Sequence, residues 1–358
     1  MKWRLLDTGA QDAPHNMALE KVLLASSADG TAPNTLHILE FFPCVLLGYN
    51  QSVSEEIEEG YCNQNGIEIN RRISGGGCIY MDDGTLGWEI IAKKNAPNIP
   101  GNIEDMYRKL CGGVINALSE FGIKADYRPL NDVEVGGRKI SGTGGTELSD
   151  SFIFHGTVLV DFHADIMVKA LKAPLKKLDD KQVADFKMRT VCMRELLGYI
   201  PPMADVKERL TDAFAEMLGV KFEAGGLTSG ETEALNMELP LFSSEEWIYG
   251  RHVRPRKNSF NIFEHKAEGG LIRVSLLLDD SRGYIKSAFI TGDFFAYPER
   301  GILALESALK NAPIRGDALA KRIGCFFATQ DLIIPGAGAE DFISAVIGAA
   351  QGGQKIES

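Results

Sequence analysis

Apolar residues recur most regularly at Ile103, Met106, Leu110, Val114, Ala117, Leu118 and Phe121. Steps of three and four predict a helix over this span, ended by Gly122. The same spacing at Val206, Leu210, Ala213, Phe214 and Met217 predicts a second helix. A third, starting at Pro14 and running to about Ser26, carries Met17, Ala18, Leu23 and Leu24 on its apolar side. Short apolar runs predict strands at Lys2–Thr8, Leu36–Phe41, Cys44–Leu47, Glu68–Arg72, Cys78–Met81, Trp88–Ala92, Lys124–Arg128 and Phe152–Asp161. Pro43 separates the second and third of these, and Gly48-Tyr49-Asn50-Gln51 is expected to close that hairpin region. Glu55–Asn65 is acidic and polar and is expected to be helical. Lysines crowd the segment from Lys169 to Lys187, which reads as a solvated loop or helix end.

The pattern fades over Glu223–Glu246, rich in glycine, serine and glutamate, and a linker is expected there. Beyond it, Leu271–Leu278 and Tyr284–Ile290 predict two strands joined by a turn. Helices are expected near Glu299–Leu309, Arg315–Phe326 and Ala339–Ile347, and the polar tail Gln351–Ser358 is expected to lack order. The pattern divides the chain into a domain over residues 1–240 and a smaller one over 247–350.

The candidate chemistry centres on Arg71-Arg72-Ile73-Ser74-Gly75-Gly76-Gly77-Cys78. Glycine tolerates positive φ and close backbone approach, and successive N–H groups in such a turn form an anion-binding concavity. Flanking guanidinium groups add fixed positive charge. The stretch would equally serve as a tight turn with solvated arginines. A second basic, glycine-rich segment, Gly136-Gly137-Arg138-Lys139-Ile140-Ser141-Gly142, suggests two walls of one anionic site.

Composition narrows the choice of partner. A net charge of −11 and a pI near 5.2 argue against broad nucleic-acid binding. No apolar run approaches the ~20 residues that span a bilayer, and Met1-Lys2-Trp3-Arg4 leads into no secretory segment. A cytoplasmic protein without membrane or nucleic-acid partners is expected. Six scattered cysteines without a C-x-x-C pair predict reduced thiols and no cysteine metal site.

In order along the chain stand Asn16-Met17-Ala18-Leu19-Glu20, Gly48-Tyr49-Asn50-Gln51, Arg71-Arg72-x-Ser74-Gly75-Gly76-Gly77, Asn131-Asp132, Gly137–Gly142 and His155-Gly156-Thr157. Together they resemble lipoate–protein ligase A. Trp247–Gly250 and Ile290–Phe295 resemble that family's accessory domain, fused here to the catalytic one. The resemblance implies an α/β (α+β) fold. A mixed-sheet catalytic domain similar to biotin and lipoate ligases, like class II aminoacyl-tRNA synthetases, would carry a smaller α/β domain. It also implies ATP, Mg²⁺ and lipoate, a lipoyl-adenylate intermediate, and a lysine on a lipoyl-domain acceptor protein.

By the same resemblance Lys139 would be catalytic, set against the carboxylate or α-phosphate. Arg71, Arg72, Ser74, Gly75, Gly76, Gly77, Asn131, Asp132, Ser141, Gly142, Thr143, His155 and Gly156 would bind acid and nucleotide, with Asp132 a candidate Mg²⁺ ligand. Arg72 is the less secure arginine, because neighbours on a strand point to opposite faces. The family usually has His-Asp where this chain has Met81-Asp82, so Met81 would line the acyl channel or fill core. Cys78 is read as a small buried strand residue. The basic run from Arg251 to Lys257 is either a solvated face or a dock for an acidic acceptor. Two rivals stand beside the ligase: an octanoyl or lipoyl transferase on the same fold, and a non-catalytic acyl-protein binding module.

Overall fold

The structure is a computed structural model that describes residues 2–129, 131–172, 188–250, 259–298, 300–352 and 354–357. The basic run from Arg251 to Lys257, and the lysine-rich segment beyond Lys172, lie outside these residues. Two compact units emerge. The first comprises Met1–Leu46, Glu56–Ile73 and Ile79–Ser244, and the second Leu47–Glu55, Ser74–Cys78 and Glu245–Ser358.

The strands of the first unit are β1 (Lys2–Gln11), β2 (Thr35–Phe41), β3 (Cys44–Leu47), β4 (Glu68–Arg71), β5 (Ile79–Met81), β6 (Thr85–Lys93), β7 (Asp126–Arg128), β8 (Asp132–Val135), β9 (Arg138–Leu148), β10 (Ser151–Leu159) and β11 (Lys221–Ala224). Among the described residues they form an eight-stranded sheet, β11-β1-β2-β6-β10-β9-β8-β7, and a small sheet, β4-β3-β5. β1 runs parallel to β11 and β2, while the strands from β2 to β7 pair antiparallel, so the large sheet is mixed.

Helix α1 (Ala13–Ala28) starts where Asp12 accepts a hydrogen bond from the His15 amide, with Pro14 in the first turn. Helix α2 (Ile103–Ser119) is capped in the same way by Asn102 and buries Leu110, Val114 and Leu118. Helix α3 (Met203–Leu218) ends at Gly219 in the left-handed region. Trp88 on β6 anchors this core, its ring centroid 4.9 Å from Phe214 and 5.8 Å from Phe154. A Cβ on Gly156 would stand 2.4 Å from the Trp88 ring, so glycine there makes room for the indole.

Three expectations are corrected. Residues 36–47 do not form a hairpin: β2 joins the large sheet, whereas β3 pairs with β5, Cys44 opposite Met81. Pro43 cannot donate to a ladder, and the chain changes sheets there. The expected linker contains helix α4 (Ser229–Phe242). Thr228 and Glu231 form a reciprocal capping box, and Glu231 also takes a two-pronged bond from the buried Arg4 at 2.6 and 2.7 Å. The helix buries Leu235 and Phe242 but little else, which is why its apolar period is weak. The Glu55–Asn65 helix is two short pieces, Val53–Glu56 and Glu59–Gln64.

In the second unit, β12 (Ser259–Ala267), β13 (Gly270–Asp279), β14 (Tyr284–Gly292) and β15 (Gln354–Glu357) form an antiparallel sheet ordered β14-β13-β12-β15. β15 corrects the expectation of a disordered tail. Helices α5 (Gly301–Leu309), α6 (Gly316–Thr329) and α7 (Ala339–Gly352) bury Leu305, Ile323 and Phe342 with Ile272, Val274 and Phe294.

The segments 47–55 and 74–78 are built into this second unit. Arg273 on β13 binds Glu55 at 2.8 Å, and Thr291 on β14 donates to the same carboxylate. The Gly292 amide donates to Asn50 O, and the Gly76 amide to Phe294 O. Among the described residues no helix is long and apolar enough to cross a membrane.

Candidate functional site

β8 and β9 are joined at Gly136-Gly137, whose φ angles of +59° and +77° favour glycine. The pairing register shifts between Val133 and Glu134, leaving Gly142 opposite Asp132 and Lys139 opposite Glu134. The Lys139 side chain folds back, bringing Nζ to 2.5 Å from Asp132 Oδ1. This is a charge contact and not a well-directed hydrogen bond. A Cβ on Gly142 would lie 2.7 Å from the same Nζ, so the missing side chain opens the path the ammonium occupies.

Asn131 braces the neighbouring strand: its Nδ2 donates to Thr143 O, and its carbonyl accepts from both the amide and the hydroxyl of Thr143. Ser141 is fully buried, and the Gly142 amide faces Thr157 Oγ1 at a long 3.4 Å. The Lys139 carbonyl accepts from the Val191 amide.

Both arginines are buried, Arg71 at 0% and Arg72 at 4% exposure. β4 ends at Arg71, so Arg72 lies just past the strand. Its Nη1 donates to Leu46 O at 2.8 Å. Asn70 supports the strand end, accepting from the Arg71 amide and donating to Phe242 O.

A polar row crosses the large sheet beside these groups. His37 on β2 is paired with Glu89 on β6, and Glu89 with His155 on β10. His155 in turn stands opposite Gly144, and Gly156 opposite Thr143, on β9. Loss of hydration, then the nearby Arg72 charge, push the His155 pKa down to about 3, so its ring is neutral at pH 7. Neither His37 nor Glu89 was singled out from sequence. The available signal was a histidine inside an otherwise apolar strand, Leu36-His37-Ile38, and a glutamate inside Trp88-Glu89-Ile90.

The remaining expected residues, Ser74, Gly75, Gly76 and Gly77, belong to the second unit. The Tyr49 amide donates to Ser74 O, Gly76 has φ +92°, and a Cβ on Gly75 would meet Phe294 O at 2.7 Å. Cys78 is half-buried in the loop ahead of β5, not a buried strand residue as expected. Met81 is buried opposite Cys44.

One group of three potential metal ligands stands out among the described residues: Asp82, Asp83 and His163. His163 Nδ1 lies 2.7 Å from Asp82 Oδ2, and the Gly84 amide donates to Asp82 Oδ1, so both oxygens of that carboxylate are engaged.

A family model described as the lipoyl protein ligase A/B catalytic domain matches residues 12–215, more than half of the chain. The chain belongs to the lipoyl protein ligase A/B family. Relatives named as lipoate–protein ligases and relatives named as octanoyltransferases both match. Lipoate–protein ligase 1 of Staphylococcus aureus is 28% identical over 83% of this chain and 86% of its own length. Octanoyltransferase LipM of Moorella thermoacetica is 27% identical over 70% of this chain and 98% of its own. P. falciparum LipL1, solved with lipoate, shares the fold across 97% of this chain and 98% of its own, with a TM-score of 0.76 at 19% identity. A bipartite lipoate protein ligase of Thermoplasma acidophilum, studied with its E2 lipoyl domain, covers 69% of this chain and 96% of its own, with a TM-score of 0.61 at 25% identity. This lipoyl ligase family member is thus placed in lipoate-related acyl ligation or transfer.

Proposed function

We propose that the protein is an ATP-dependent lipoate–protein ligase acting through lipoyl-adenylate. The observation that carries the reading is the Lys139–Asp132 contact, set by the β8–β9 register shift and made over the bare Gly142. A lipoate carboxylate oxygen attacks the α-phosphorus of ATP and the bond to pyrophosphate breaks. An acceptor lysine amine then attacks the acyl carbon of the mixed anhydride. The carbon–oxygen bond to AMP breaks and the amine loses its proton. Charge gathers on the phosphate in the first step, so the chain's task is to hold fixed cations and donors around it. Lys139 supplies a mobile cation, and Arg71 and Arg72 supply permanent ones.

Asp132 is the residue that would hold Mg²⁺, whose charge would neutralise phosphate oxygens; a single carboxylate on a half-buried strand suits an ion bound mainly by phosphate and water. The acceptor would be a lipoyl domain, as the Thermoplasma acidophilum relative's E2 partner suggests. Residues 1–240 would form the catalytic domain and 247–350 the accessory domain.

The octanoyltransferase relatives favour a second reading, transfer through an acyl-cysteine. Thiol chemistry weighs against it. Burial pushes the Cys111 pKa up to about 12 and that of Cys62 to about 11, and raises that of Cys192. No cysteine occurs between Asn131 and Asp161, which leaves Cys78 as the transferase's best candidate. Pyrophosphate release from ATP, with lipoate, octanoate or biotin and no acceptor, separates the readings. Lipoate-dependent release is expected; silence with all three acids overturns the ligase.

A further inference from the structure

Three side chains of the first unit, none of them part of the proposed ligation chemistry, form an unbroken hydrogen-bonded row. Thr8 Oγ1 lies 2.9 Å from His37 Nε2, and His37 Nδ1 lies 2.8 Å from Glu89 Oε2. The contacts join three neighbouring strands, β1, β2 and β6. His37 and Glu89 are 0% and 1% exposed, whereas Thr8 is half-buried, so the hydroxyl end of the row is the accessible one.

The backbone singles Thr8 out. Asp7 pairs with Ile38 and Ala10 with Glu40, so Thr8 and Gly9 together stand against Leu39. This is a bulge, a device that re-aims a side chain. Gly9 takes φ +62°, and a Cβ built there would meet nothing within 4 Å, so the chain is open to approach next to Thr8.

The protonation states suit proton transfer. Lost hydration pushes the His37 pKa down to about 4, so the ring is neutral at pH 8. Burial raises the Glu89 pKa to about 7, so its carboxyl is mostly ionised at that pH. The carboxylate accepts from Nδ1–H and leaves the Nε2 lone pair to the Thr8 hydroxyl. A hydroxyl on an imidazole that a carboxylate orients is the arrangement of an activated nucleophile. Lys207 brings its ammonium to 2.9 Å from Asp7, the residue before Thr8, and to 2.6 Å from Glu40. Two carboxylates against one ammonium leave this rim net negative, which disfavours anionic acyl donors and leaves neutral ones.

We propose that Thr8 is a nucleophile separate from ligation, with His37 as its base and Glu89 as a positioning residue, and that it takes acyl groups from neutral activated esters. In the first half-reaction the Thr8 hydroxyl proton passes to His37 Nε2 as Oγ1 bonds the acyl carbon. The carbon–oxygen bond to the leaving alcohol breaks, and the alcohol takes the proton from Nε2. Water then repeats the sequence, releasing the acid and restoring the hydroxyl. No ATP enters, so the outcome does not depend on the ligase reading.

The test uses the full-length chain at pH 8 and two probes. Diisopropyl fluorophosphate, which is neutral, should lose fluoride and leave a stable adduct that mass spectrometry places on Thr8. The urea-unfolded chain should acquire it about a hundred-fold more slowly, because an unassisted hydroxyl is a weak nucleophile. Glu89→Gln should lower the saturating rate of labelling about ten-fold or more, while the half-saturating probe concentration stays the same. With p-nitrophenyl butyrate, the parent should release p-nitrophenol about ten-fold or more faster than Thr8→Val, checked as folded by near-ultraviolet circular dichroism. Absence of a Thr8 adduct overturns the proposal, as do adducts confined to other side chains. Equal labelling of the folded and unfolded chains, or equal ester hydrolysis by the parent and Thr8→Val, overturns it as well. Labelling of Glu89→Gln at the parental rate removes the carboxylate from the row and overturns the proposed relay. Should Glu89→Gln fail to fold, the folded-against-unfolded comparison and Thr8→Val still decide.

Discussion

Lys139 Nζ lies 2.5 Å from Asp132 Oδ1, across a register shift that leaves Gly142 between them without a side chain. The lysine is over a third exposed, so this pair adds at most ~1 kcal/mol to stability. On the proposed function, its value would lie in placing a cation where an anion can replace the carboxylate. Lys139→Ala should therefore leave the melting temperature within a few degrees of the parent. It should slow adenylate formation by a hundred-fold or more, the usual ~3–4 kcal/mol for one lost electrostatic contact. Near-parental pyrophosphate release from the alanine variant would remove Lys139 from the mechanism.

Cys78 separates ligase from transferase. It is the half-buried thiol beside the glycine loop, whereas burial makes Cys62, Cys111 and Cys192 poor nucleophiles. Cys78→Ser should keep most ATP-dependent modification of an acceptor. A trapped acyl thioester at Cys78, located by mass spectrometry, would establish the transferase instead.

Glu89 gives a pH dependence with a definite sign. Lost hydration pushes its pKa up to about 7 from an ordinary 4.5, so the folded state holds the proton more tightly than the unfolded chain. Its contribution to stability is complete below about pH 4.5 and falls as pH rises to about 7, by up to ~1.4 kcal/mol per pH unit. His37 and His155 have the opposite slope, their depressed pKa values costing stability as pH falls below about 6.5. Glu89 touches both His37 and Glu20, so the comparison with Glu89→Gln reads the titration of this bonded group and not of one carboxyl alone. The parent's advantage over this variant in urea unfolding should shrink between pH 5 and 7; a constant gap would refute the titration.

The long elements were legible because one face of each carries the apolar period. α2 begins at Ile103 and α1 runs two residues past the expected Ser26. α4 was not legible by that route: few of its side chains are buried, and an ion pair ties Glu231 to Arg4, 227 residues away in sequence. Thr228-Ser229-Gly230-Glu231 did carry a capping-box pattern inside the supposed linker. The glycine and lysine segments announced themselves by residue type. His37 and Glu89 did not, because only the pairing of β2 with β6 makes them neighbours.

The Arg4–Glu231 pair should be the chief anchor of α4. Both side chains are nearly or wholly buried, and two bonds of 2.6 and 2.7 Å join them. Removing one partner leaves a buried charge uncompensated, which typically costs ~3–5 kcal/mol. Arg4→Met should therefore unfold at clearly lower urea than the parent, while the paired change Arg4→Met with Glu231→Met recovers part of the loss. A single variant as stable as the parent would assign α4 docking to Leu235 and Phe242 instead.

The last prediction concerns the glycine loop, whose segment 74–78 is part of the second unit. Its fixed points there are the Gly76 amide on Phe294 O and the Ser74 carbonyl under the Tyr49 amide. The neighbouring segment 47–55 is tied down by Arg273 and Thr291 on Glu55, and by the Gly292 amide on Asn50 O. A chain ending at Ser244 keeps the large sheet, its core and the Lys139–Asp132 pair, yet loses every one of these residues beyond position 244. It should fold, with the Trp88 core intact by near-ultraviolet circular dichroism. Cleavage within residues 47–55 and 74–78 by limited proteolysis should become faster, because their backbone partners are gone. Adenylate synthesis should fall, since amides that wander cannot be preorganised for phosphate. Arg273→Ala in the full-length chain should show a milder form of the same pattern. If the truncated chain makes lipoyl-adenylate at the full-length rate, the second unit's hold on the glycine loop is not part of activation, and acceptor recognition becomes its better explanation.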